Sequence, residues 1–161
     1  MMSQAELELL ITQPDAQNFG LTLRFRQPAA GLDKAFSAPW ALDEAALRQR
    51  QIDPAAYGEC LAAQLLAGSG VRAFFDQALA VAASQRVPLH LRLFISGEAT
   101  ALHTLRWETL RLPGSSAPVA AGEWVRFSRY LDGAGWRPVS VPQQESLRAL
   151  IAIASADVTG T

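Results

Sequence analysis

The sequence predicts an α+β chain: an N-terminal β-hairpin, a layer of about three helices and further antiparallel strands, closing on the first strand of an α/β sheet. Three observations carry that expectation. Leu7, Leu9 and Ile11, then Leu21, Leu23 and Phe25, recur at every second residue, the period of a half-buried strand. Val71, Phe74, Phe75, Ala78, Leu79 and Ala82 fall at i, i+3, i+4, i+7, i+8 and i+11, one continuous helical stripe. Leu147–Ala154 is almost continuously apolar, as are strands covered on both faces of a sheet.

Taken in order, residues 13–18 are rich in turn formers (Pro14, Asp15, Asn18) and join the first two strands into an antiparallel hairpin with a longish loop. Residues 28–40 hold Pro28, Gly31, Pro39 and Trp40 without clear periodicity and read as a loop. Asp43 can cap a short helix running to about Gln51. Asp53-Pro54 starts the next, with Asp as N-cap and Pro at the first helical position. Its apolar face is Tyr57, Cys60, Leu61 and Leu65, and Gly68-Ser69-Gly70 ends it. The third helix carries the 71–82 stripe.

Pro88 closes the helical region. Leu89, Leu91, Leu93 and Ile95 then alternate with His90, Arg92 and Phe94, predicting a strand with one strongly apolar face. Ala99–Leu110 reads as a short helix broken near Arg106, because Leu102, Leu105, Trp107 and Leu110 keep only approximate helical spacing. Pro113–Ser116 is a loop and Trp124–Leu131 a strand. Gly133-Ala134-Gly135 makes a turn, followed by a short extended piece at Arg137–Val141. Residues 1–161 thus form a single domain or an incomplete one: hairpin at 1–27, loop and helices at 28–86, strands at 87–161. The terminal apolar strand needs neighbours and covering helices, so the chain reads as stopping just as an α/β sheet begins.

Composition narrows the classes of function. Half of the residues are hydrophobic, enough to offset the entropy of ordering and to exclude charge-driven disorder. Fourteen Lys and Arg against fifteen Asp and Glu leave none of the basic excess that a dedicated nucleic-acid binder shows. A lone cysteine, Cys60, rules out an internal disulfide and a cysteine-based metal cluster. Met1–Glu6 has neither a basic n-region nor an apolar h-region, and no run approaches the length of a membrane span, so a cytoplasmic protein without a membrane partner is expected. All basic residues but Lys34 are Arg, and alanine is abundant, which points to a GC-rich bacterial genome.

The candidate chemistry is sparse. Cys60 shares a helical face with Tyr57, Leu61 and Leu65, the setting of an inert core thiol rather than a nucleophile. His90 and His103 lack metal-ligand spacing. Gly133-x-Gly135 has no helix after it, so a dinucleotide site fails its context. Arg24/Arg26 and Arg48/Arg50 are offset by acids and read as solvated faces. Trp107-Glu108 stands out. The indole is expected to plug the core while Glu108 pins a turn through Arg129 or Arg126; otherwise the pair shapes a substrate-facing wall. No catalytic residue, metal or cofactor is expected.

Leu89–Leu110, LHLRLFISGEATALHTLRWETL, resembles the front half of CHAT domains, the caspase-like cysteine peptidase domains often found beside tetratricopeptide repeats. That family has an L-x-L-x-L strand, a small turn and then L-x-x-L-P-W-E-x-L. Leu102, Leu105, Trp107, Glu108 and Leu110 occupy those places. Ser128–Leu131 looks like the family's short strand with its Arg, here Arg129, and LRALIAIAS at Leu147–Ser155 is similar to its L-R-x-L-x-x-I-A-S-P strand. Two positions depart, Arg106 and Ala156, each standing where the family has proline. The resemblance covers about Phe36 to Ser155. It implies that Leu147–Ser155 opens a caspase-like sheet, and that the His-Gly and Cys motifs of the dyad come later than Thr161.

Two expectations of function follow. In the first, the chain is a non-catalytic N-terminal portion of a CHAT-type caspase-like cysteine peptidase, buttressing the catalytic sheet. In the second, it is a stand-alone interaction or adaptor module whose Leu147–Ala154 strand pairs with a protein partner or a second copy by β-augmentation.

Overall fold

A computed structural model describes residues 5–15 and 18–132. The hairpin is β1 (Ala5–Thr12) and β2 (Phe19–Gln27), paired antiparallel from Glu6↔Arg26 to Thr12↔Gly20. A 3-10 turn at Pro28–Ala30 follows, ended by Gly31 at φ 63°, a left-handed conformation that glycine adopts without a Cβ penalty. The chain then enters β3 (Leu32–Trp40), antiparallel to β2.

That strand corrects the expectation of a loop over 28–40. Its helix-facing positions are Leu32, Lys34, Phe36, Ala38 and Trp40, so Lys34 interrupts the apolar alternation and hides the period. β3 is also an edge strand, where a proline such as Pro39 is tolerated because one side of the backbone needs no ladder partner.

Three helices follow: α1 (Glu44–Arg48), α2 (Pro54–Leu65) and α3 (Ser69–Ser84). Asp53 caps α2 as its sequence predicts, its Oδ1 accepting from the amides of Ala55 at 2.8 Å and Ala56 at 3.1 Å. α3 starts earlier than the stripe suggests, because Gly68 serves as its N-cap and Ser69-Gly70 belong to its first turn. The absence of a side chain at Gly70 brings α3 onto β3, since a Cβ there would stand 2.5 Å from Phe36 Cζ. Phe36 in turn stacks on Phe74 at a centroid distance of 6.1 Å.

β4 (Leu89–Ser96) returns beside β1. After α4 (Thr100–His103) and 3-10 turns at Trp107–Thr109 and Val119–Ala121 comes β5 (Val125–Asp132). The chain is therefore α+β, with one five-stranded sheet in the order β3-β2-β1-β4-β5. β4 pairs parallel with β1, and β5 parallel with β4. The later strands were expected to be antiparallel, and this is a second correction. The segments before β4 and before β5 are long enough to cross over, and parallel pairing requires such a connection of a dozen residues or more. The sheet is thus mixed within the described residues. The expected Leu147–Ala154 strand lies outside them, as do Gly133–Gly135, Arg137–Val141 and Ser155.

Among the described residues, all helices serve one face of the sheet. Leu7, Leu9, Ile11, Leu21, Leu23, Leu89, Leu91, Leu93 and Ile95 are buried there against Leu47, Leu61, Leu65, Val71, Phe75 and Ala78. Among the described residues no helix is long and apolar enough to cross a membrane.

Candidate functional site

The Leu/Trp-Glu segment forms one structural unit. Trp107 is fully buried, and its indole N–H donates to the Leu102 carbonyl at 2.8 Å, which meets the polar need of an otherwise apolar plug. Leu102 and Leu110 are buried beside it and Leu105 is half-buried. Trp40 lies 6.3 Å from Trp107 between ring centroids and donates its own N–H to the Gln64 carbonyl at 3.0 Å. Gly58 lets α2 close onto this turn: a Cβ there would stand 1.8 Å from the Thr109 carbonyl oxygen.

Glu108 and Arg129 meet as a salt bridge at 3.2 Å, and the Arg129 guanidinium also reaches the Leu105 carbonyl at 3.4 Å. Of the two arginines expected to hold Glu108, Arg129 is the partner that forms the bridge. The pair ties the 3-10 turn to β5. The structure thus brings Leu102, Leu105, Trp107, Glu108, Leu110 and Arg129 together.

A cleft of about 570 Å³ opens on the outer side of this turn, lined by Leu47, Arg48, Ile52, Tyr57, Leu105 and Arg106. Arg106, standing where the resemblance has proline, lays its guanidinium 4.3 Å from the Tyr57 ring centroid and donates to the Gln51 carbonyl at 2.6 Å. A proline could do neither. Arg106 instead links α2 to the turn by cation–π contact.

The other face of the sheet carries no helix among the described residues, and its chemistry escaped the sequence reading. Strand register aligns three rows across it. One runs Asp33, Arg26, Glu6, His90, Arg126; the next Arg24, Glu8, Arg92, Ser128; the third Thr22, Leu10, Phe94, Tyr130. Arg26 reaches Glu8 at 2.5 Å and Glu6 at 3.4 Å from one side, while Arg92 approaches the same carboxylates at 3.4 and 3.9 Å from the other. The Arg92 guanidinium also lies 4.9 Å from the Tyr130 ring centroid and 5.3 Å from that of Phe94, two rings stacked at 4.9 Å. Arg24 and Asp33 form a bidentate bridge near the β3 edge. Arg24 and Arg26 are therefore not merely solvated but paired across strands.

His90 shares a hydrogen bond of 2.8 Å with Ser128. Partial burial, then the positive charges of Arg92 and Arg126, hold its pKa below the ordinary value, with Glu6 opposing. The Tyr130 hydroxyl is also pulled down, chiefly by its hydrogen bond to Ser128.

None of this assembles a nucleophile and base. Cys60 is half-buried on α2, where the Gln64 amide donates to its Sγ at 3.4 Å, and the sheet lies between it and His90. His103 donates to the Ser96 carbonyl at 3.1 Å. Among the described residues no group of three His, Cys, Asp or Glu is placed to hold a metal ion. The arrangement is suited to holding elements together and presenting a patterned surface. No family model matches the chain, nor does any curated protein or solved structure.

Proposed function

We propose that the chain is the non-catalytic N-terminal portion of a CHAT-type, caspase-like cysteine peptidase, and that it buttresses the catalytic sheet of the full-length protein. The observation that supports this reading is the convergence of the resemblance's own residues. Trp107 fills the core beside Leu102 and Leu110, and Glu108 bridges to Arg129. A turn anchored to a strand in this way is a rigid base for neighbouring sheet structure. Its role is mechanical: parallel strands need neighbours, and a preformed β1-β4-β5 ladder supplies one to strands that follow.

The alternative is an interaction module pairing through Leu147–Ala154. The outer edge of β5, which has no strand neighbour among the described residues, favours it. The reading frame beyond Thr161 separates the two. A continuation with a His-Gly motif and a later Cys motif, whose product cleaves peptides and loses that activity when the Cys is replaced by Ala, supports the peptidase. A stop codon directly after Thr161 overturns it in favour of the adaptor.

A further inference from the structure

Arg106 is more firmly placed than a surface arginine needs to be. Its guanidinium is held on two sides, by the Tyr57 ring at 4.3 Å and by the Gln51 carbonyl at 2.6 Å. Only Nη2 of the fork is engaged by Gln51, and among the described residues no carboxylate pairs with it. Glu44 lines the same cleft but is bridged by Arg48, one helical turn on, at 3.2 Å. The cleft therefore holds two guanidiniums against one carboxylate, in a chain whose charges otherwise nearly balance. A guanidinium presents its donors as a planar fork that a carboxylate matches, and one fixed beforehand loses little rotamer freedom on binding.

The walls around that cation are apolar. Leu47 and Tyr57 contribute buried side chains and Leu105 a half-buried one, while Ile52 on the rim is 92% exposed. Ile52 does not sit on a loose tip. The amides of Arg50, Gln51 and Asp53 donate in turn to the carbonyls of Leu47, Arg48 and Arg50, at distances between 3.0 and 3.2 Å. A hydrogen-bonded turn thus holds a β-branched hydrocarbon out in water beside a fixed guanidinium, the pairing of apolar anchor and cation that recognition surfaces favour. A molecule contained within the cleft's 570 Å³ leaves Ile52 uncovered, whereas a longer one lying in the cleft and over its rim buries it.

We propose that this cleft binds a short peptide segment of a partner protein in which a carboxylate side chain adjoins an aliphatic one. The carboxylate takes the free part of the Arg106 fork, and the aliphatic side chain lies against Leu47, Leu105 and Ile52. Charge selects the acid, and removal of the exposed hydrocarbon from water supplies the rest of the affinity. The site is built wholly from α1, α2, α4 and the turns beside them, so it stands whether the chain buttresses a peptidase or acts alone.

Titration of the full 161-residue chain with the acetylated, amidated pentapeptide Ala-Leu-Glu-Leu-Ala, followed by amide NMR shifts, tests it. Shifts should gather at Ile52, Leu105 and Arg106 and saturate with a dissociation constant below about 1 mM. The same peptide with Gln for Glu, alike in shape but uncharged, should bind at least about tenfold more weakly, because a hydrogen bond between charged groups is lost. Ile52→Ser, at a site exposed enough to leave the fold intact, should weaken binding about threefold or more. Arg106→Gln should abolish the preference for the Glu peptide; should that variant unfold, Ile52→Ser and the peptide pair still decide. Absence of shifts at about 5 mM peptide, equal binding of the two peptides, or shifts centred on the charged face of the sheet would overturn the proposal. So would isocaproate binding as tightly as the peptide, which assigns the cleft to small apolar acids instead.

Discussion

The sheet has two faces made from the same strands, and they hold together by different physics. Leu7, Leu9, Leu91 and Leu93 turn one way and are at most 1% exposed beneath the helices. Their neighbours Glu6, Glu8, His90 and Arg92 turn the other way and stay half-buried in a lattice of opposite charges. On the first face stability scales with apolar area removed from water. On the second, each ion pair offsets much of its attraction by desolvation and is screened by salt. The two faces therefore stabilise unequally, and the charged face contributes more to register than to free energy: slipping β1 by one residue would bring Leu side chains against arginines.

The contrast breaks most visibly at Trp107. Trp107→Ala should cost about 3–5 kcal/mol, read as a fall in the denaturant midpoint, because it leaves a cavity under the 3-10 turn and frees the Leu102 carbonyl. A loss below about 1 kcal/mol would remove that residue from the core. Gly58→Ala tests the same interface by overfilling it. The added carbon meets the Thr109 carbonyl rather than a flexible side chain, so about 1–3 kcal/mol should be lost, with α2 or the turn displaced in spectra of Trp107.

On the charged face the expected losses shrink. Glu8→Gln keeps the shape but withdraws the anion that Arg26 and Arg92 share, and should cost about 1–2 kcal/mol, less at high salt. Exposure is greater at Glu108, so Glu108→Gln should cost only about 0.5 kcal/mol, a difference that vanishes in about 1 M salt. A salt-insensitive loss at Glu8 as large as that at Trp107 would erase the distinction between the faces.

What the sequence disclosed follows the same divide. Period-2 leucines and the 71–82 stripe announce the helix-covered face, because apolar burial leaves a local signature along each strand and helix. Even the Glu108–Arg129 bridge was legible as one of two arginine choices. The lattice was not, because Glu8, Arg26 and Arg92 become neighbours only once β2 and β4 are known to flank β1. Nothing local in the sequence fixes that order. β3 was missed for a related reason: Lys34 on its helix-facing side masks a period that edge exposure makes affordable. Parallel pairing of β4 and β5 is likewise a property of crossovers, which hydrophobic alternation cannot report.

The smallest effect is the most specific to the open face. His90 holds its pKa below 6.5 through partial burial and the nearby Arg92 and Arg126. A depressed histidine pKa means that the unfolded chain binds the proton more readily, so stability rises with pH. The contribution is full above the unfolded value and is lost as pH falls below it toward the folded pKa. Urea denaturation of the native chain and of His90→Gln, which can still bond Ser128, should therefore diverge with acidity: the native chain's advantage falls as the pH drops below 6.5. If both chains lose stability in parallel, neither burial nor the guanidiniums of Arg92 and Arg126 hold the His90 proton affinity down, and the imidazole stands apart from the charged lattice.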